Sequence, residues 1–218
     1  MHGFMENRPR IAPWRRWRAG PVVLLAIAIA IALTGCSTDS AGTADPASSE
    51  SAPSSSPAPA ERAVPMAKSA PVRVGIPAIG VDSELMQLGL RGDGTLEVPP
   101  TGFPAGWFTG APTPGELGPA IIAGHVDWGG QPGVFYRLRD LKAGDEIMVG
   151  RQDRSTALFR VTRIERFSKR DFPTDLVYGA IDHAGLRLIT CGGAFDTQAR
   201  SYVDNIIAFA EFVGSTSS

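Results

Sequence analysis

Cys191 and His125 are of the residue types that nucleophilic acyl transfer needs, and each follows an apolar run. "GLRLIT" leads into the cysteine and "PAIIAG" into the histidine. A thiolate attacks a carbonyl carbon; a nearby imidazole moves the proton and, once protonated, lowers the thiol pKa. Strand ends and the loops after them are where such groups become accessible. Cys191 stands directly before Gly192 and Gly193, which read as a turn. An unpaired cysteine in an exported chain is either a small buried hydrophobe or a working thiol, and the residue alone leaves both open. Acyl transfer also needs positive charge or donors where the attacked oxygen gains charge. Arg200 follows Cys191 by nine positions and returns towards it if the flanking strands pair. A solvated loop arginine is the other reading. His183, in "AIDHAGL", reads as a loop residue.

The elements that must position these residues are short strands. From Pro71 onward the chain shows "VRVGIPAIGVDSELMQLGL", "GTLEVPP", "GPAIIAGHV", "DEIMVG", "ALFRVTRIERF", "GLRLITC" and "VDNIIAFAEFV". These runs are bounded by Gly, Pro, Asp and Asn, the usual punctuation of strands. Seven or eight strands are expected. "TALFRVTRIERF" alternates, with Leu158, Arg160, Thr162 and Ile164 against Phe159, Val161 and Arg163. "VFYRLRDL" reads as one or two helical turns. With 25 Gly and 18 Pro among 218 residues, the composition favours a turn-rich β fold. A single closed β-barrel is the economical architecture, because closure removes exposed edges.

The N-terminus has a different character. "RPRIAPWRRWR" is followed by an apolar core over residues 21–33, the layout of a secretory signal. "LTGC" at Leu33–Cys36 follows that core. It resembles a lipobox, which implies a lipidated Cys36 as the mature N-terminus; an uncleaved membrane anchor is the alternative. Either places residues 1–36 as signal or anchor and the rest on the outer face of the membrane, and leaves Cys191 without a disulfide partner. Residues 37–70, as in "SSESAPSSSPAPA", lack aromatic residues and apolar periodicity and are expected to form a disordered tether. The folded domain is expected over 71–218. Beyond residue 35 the chain carries 16 basic and 21 acidic residues, which argues against nucleic-acid binding.

"LITC" ending at Cys191, "AGH" ending at His125 and a downstream arginine resemble sortases, the cysteine transpeptidases of Gram-positive cell surfaces, and the class F group above all. "IPAIGVDSEL", "AGWFTGAPTPGELGPAIIAGHVD", "FYRLRDLKAGDEI" and "TCGGAFD" before "SYVDN" carry the likeness in order over about residues 72–213. The resemblance implies a mainly β, eight-stranded sortase-type barrel with short helices. It implies Cys191 as nucleophile, His125 as acid and base, and an arginine as oxyanion or substrate clamp. Thr190 fits the Thr-Cys pair and lines the pocket in this reading. Relatives often carry an arginine inside "SY-x-DN", where this chain has Val203, so Arg200 is the nearest candidate and Asn205 an alternative donor. Asp127 reads as a turn cap, with orientation of the imidazole as its other role. The implied substrates are surface proteins with a C-terminal sorting motif of the Leu-Pro-x-Thr-Gly type. The implied acceptor is an amine such as a cell-wall precursor. No cofactor is expected, since neither a metal-ligand cluster nor a Gly-rich phosphate loop is visible. Two other readings are another exported cysteine peptidase and a non-catalytic surface lipoprotein that binds without turnover.

Overall fold

A computed structural model describes residues 63–217. Its strands are β1 (Pro71–Ile76), β2 (Val81–Leu88), β3 (Ala105–Phe108), β4 (Gly118–Ala123), β5 (Asp127–Trp128), β6 (Gln131–Pro132), β7 (Glu146–Arg151), β8 (Ser155–Ser168), β9 (Ala184–Asp196) and β10 (Ser201–Ser217). One short helix, α1 (Thr174–Tyr178), lies between β8 and β9, and single 3-10 turns occupy Pro77–Ile79 and Leu138–Asp140. Eight strands close a barrel in the order β1, β2, β3, β4, β9, β10, β8, β7. The fold is therefore the mainly β, eight-stranded barrel expected. Neighbours run antiparallel except β2 with β3 and β4 with β9, which run parallel.

Alternation decides what each strand buries. In β8, Ala157, Phe159 and Val161 fill the barrel while Arg160 and Thr162 face outwards. β4 and β9 depart from this pattern because they are covered on both faces, as near-continuous apolar strands must be. Ala120, Ile122, Leu186 and Leu188 join the barrel interior. Ile121, Ala123 and Ile189 join a second cluster on the outer surface with Leu88, Ile207 and Phe209. Val177 of α1 plugs that outer cluster, flanked by Leu96, Phe108, Phe172 and Tyr178.

Two stretches differ from expectation. "GTLEVPP" forms no strand; its Leu96 makes only an isolated bridge with Leu90, and the segment loops over the outer face. Two prolines and a glycine in seven residues leave too few backbone donors for a ladder. The expected tether also begins to pack before Pro71. The Met66 amide donates to the Gly115 carbonyl (2.8 Å), and the Gln152 amide donates to the Ala70 carbonyl (2.9 Å). The rest of the expected tether, the signal or anchor segment and Cys36 lie outside the described residues. Among the described residues, no helix is long and apolar enough to cross a membrane.

Candidate active site

The parallel pairing of β4 with β9 brings the two candidate residues together. Ala123 is in register with Ile189, and both side chains belong to the outer cluster. Two residues further on stand His125, just past the end of β4, and Cys191, within β9. Both line one cleft of about 850 Å³, with Thr190, Asn205, Lys169 and Arg200. The register of β4 on β9 is what sets both residues along that one cleft.

His125 is held from three sides. Its Nε2 lies 2.7 Å from the Pro99 carbonyl oxygen. A carbonyl only accepts, so Nε2 carries the hydrogen in this contact. The ring packs on Trp128, with centroids 4.9 Å apart. Its backbone carbonyl accepts the Phe135 amide (2.9 Å), because β5 and β6 fold back beneath it. The turn of that hairpin is Gly129–Gly130, both at positive φ, as a two-residue hairpin turn demands.

Cys191 is only 6 % exposed, so the thiol meets the cleft and little else. Burial pushes it above its ordinary range, the Lys169 ammonium pulls it back, and the Asp127 carboxylate adds to the rise. The Lys169 Nζ stands 3.6 Å from the Cys191 Sγ and 2.9 Å from the Ser201 Oγ. This lysine was not among the residues expected at the site. It follows β8 directly, and its amide donates to the Val203 carbonyl (3.0 Å), so the β8–β10 ladder delivers it to the thiol.

The other candidates are placed as follows. Asn205 pairs across the ladder with Cys191 and is buried. Thr190, one residue before the thiol, turns to the barrel interior, and its buried hydroxyl has no hydrogen-bond partner. Arg200 sits in the hairpin between β9 and β10, exposed, at φ 50°, and lines the cleft. Asp127 accepts a hydrogen bond from the Tyr202 hydroxyl, whose pKa that bond pushes up to about 12. His183 stands outside the cleft, against Asp182. Gly192 and Gly193 are not the turn expected; β9 runs on to Asp196. Gly193 has φ +78°, and a Cβ there would overlap the Asp204 carboxylate. The glycines thus let β9 pass a shift in register between Tyr202 and Asp204. Among the described residues, no three His, Cys, Asp or Glu side chains gather as a metal site would require.

Comparison with known proteins agrees with this geometry. The family model for the Sortase domain matches residues 74–213. Among solved structures, sortase A of Listeria monocytogenes is similar at a TM-score of 0.52 and 15% identity, over 68% of this chain and 90% of that one. A lid mutant of sortase A from Corynebacterium diphtheriae is similar at 0.52 and 21%, over 71% and 74%. A comparison with curated protein sequences finds no match. A closed eight-stranded barrel, a thiol and an imidazole lining one cleft, and a family model covering most of the described chain lead to one conclusion: the chain belongs to the sortases, a family of cysteine transpeptidases.

Proposed function

We propose that this sortase is an exported, class F-like transpeptidase that cleaves surface proteins at a Leu-Pro-x-Thr-Gly-type sorting motif and joins them to an amine. The observation that carries the reading is the shared cleft of Cys191 and His125, set by the β4–β9 register. In the first step the Cys191 proton passes to His125 and the sulfur attacks the peptide carbonyl carbon. The tetrahedral intermediate collapses, the C–N bond breaks, and His125 protonates the departing amine, leaving an acyl thioester. An acceptor amine, deprotonated by His125, then displaces the sulfur and forms a new amide. Asn205 and Thr190 serve the bound peptide, and Arg200 clamps it. The ordered motifs in the sequence support the class F assignment. The basic and apolar N-terminal segment supports a location on the outer membrane face, held by lipid on Cys36 or by an uncleaved anchor.

The test is mass spectrometry of the purified protein with a peptide library and a small amine. An acyl adduct on the Cys191 peptide, lost in Cys191→Ala and converted to amide by the amine, is the expected result. Peptide binding without any adduct would replace this reading with that of a non-catalytic binding module.

A further inference from the structure

Resting on the transpeptidase reading, we propose that Lys169 is a catalytic residue of this site, the cation that holds the Cys191 sulfur as thiolate and faces the oxyanion formed by its attack. Three observations carry this. The ammonium contacts the reacting sulfur itself, at 3.6 Å, and is fixed in that place by the Ser201 hydroxyl at 2.9 Å. Its backbone is also fixed, because the Lys169 amide continues the ladder to Val203. Arg200, the cation expected for this task, is exposed in the hairpin between β9 and β10.

The chemistry favours a cation at this point. The sulfur is almost wholly enclosed, and a thiolate taken out of water needs opposite charge beside it. The groups that bear on it are Lys169 at the end of β8, Asp127 of β5, Tyr202 of β10 and His125 after β4, and Arg170, Tyr178, Asp196, Arg200 and Asp204 also line the cleft. Asp127 opposes the thiolate. Lys169 supplies the compensating charge by direct contact. When sulfur attacks, the negative charge moves from sulfur, through the attacked carbon, to the carbonyl oxygen. The same ammonium then stabilises it, with Lys169 neither gaining nor losing a proton, while the mobile proton stays on His125 until the amine leaves.

The experiment measures two things on the full chain, with Lys169→Met, Lys169→Arg and Arg200→Ala. One is the pH profile of iodoacetamide alkylation at Cys191, resolved from Cys36 by peptide mass spectrometry. The other is kcat and KM for an amine-dependent transfer. Lys169→Met is expected to move the alkylation midpoint upwards by roughly one unit. It is also expected to lower kcat by about 10²–10³-fold with little change in KM. Lys169→Arg is expected to restore most of both, which separates loss of charge from loss of fold. An unmoved alkylation midpoint in Lys169→Met would overturn the proposal, as would a shift in Arg200→Ala without one in Lys169→Met. A shifted midpoint in Lys169→Met, in a protein whose wild type transfers no peptide, would retain the cation and overturn the transpeptidase reading alone.

Discussion

The Thr190 hydroxyl is buried beside the nucleophile without a hydrogen-bond partner. It faces the barrel interior among Leu188 and Ile206, where an unmet hydroxyl costs about 1–3 kcal/mol. Valine has nearly the same shape and no such group. Thr190→Val is therefore expected to stabilise the fold by about 1 kcal/mol, read from chemical denaturation. If bound peptide satisfies the hydroxyl, the same variant loses turnover by about tenfold, a tenfold change being 1.4 kcal/mol. A more stable variant with full turnover would show that the hydroxyl takes no part. Cys191 and His125 were legible in the sequence because thiols and imidazoles are rare there and each follows an apolar run. Lys169 was not. It is one of three lysines, but "RFSKRD" reads as a solvated strand end, and only the ladder to β10 turns it towards a sulfur 22 positions away. Arg200 was legible as a residue just before the last strand, but a hairpin places only its backbone, and the turn geometry decides where the side chain goes.

Among the elements, the β5–β6 hairpin has the clearest duty, which is to hold His125 in place. Gly133 follows it at the point where the chain passes beneath the histidine, and a Cβ there would overlap the His125 carbonyl. Gly133→Ala is expected to displace that carbonyl, break its bond from Phe135, and lower kcat at least tenfold with a stability loss of about 1–3 kcal/mol. Gly92→Ala, whose Cβ meets nothing within 4 Å, is the comparison; equal kinetics in the two variants would refute the positioning role. Long strands such as β8 and β10 were readable from alternation. β3 was not, since "AGWF" is too short to show a period. The parallel partnership of β4 and β9 was also hidden, because alternation reports which face is buried and not which strand lies alongside. That partnership makes the site, so the chemistry was visible in the residues before the geometry was.

At the scale of the whole molecule, residues 63–70 form a strap packed on the barrel. Residues 63–70 run between the loop before β4 and the turn joining β7 to β8. The Ser69 amide donates to Thr113 Oγ1 (3.1 Å), and the buried Arg151 guanidinium contacts the Ala67 carbonyl and the Met66 sulfur. Both anchor points are at the start of strands whose far ends carry the site: β4 runs from Gly118 towards His125, and β8 from Ser155 towards Lys169. The strap therefore packs at the barrel end opposite the cleft. A chain shortened to begin at Pro71 loses the six hydrogen bonds that residues 66–70 make to the rest of the domain, each worth about 0.5–1 kcal/mol. It also uncovers Arg151, whose side chain is only 1% exposed. The expected result is a fall in Tm of roughly 10 °C, at 2–4 °C per kcal/mol for a domain of this size. With the strap so far from the thiol, kcat/KM for amine-dependent transfer is expected to stay within about threefold, since effects at separated sites add independently. A shortened chain that kept its Tm would show the strap to be loosely held. One that kept its Tm but lost transfer would place the strap in contact with the cleft, against the topology described.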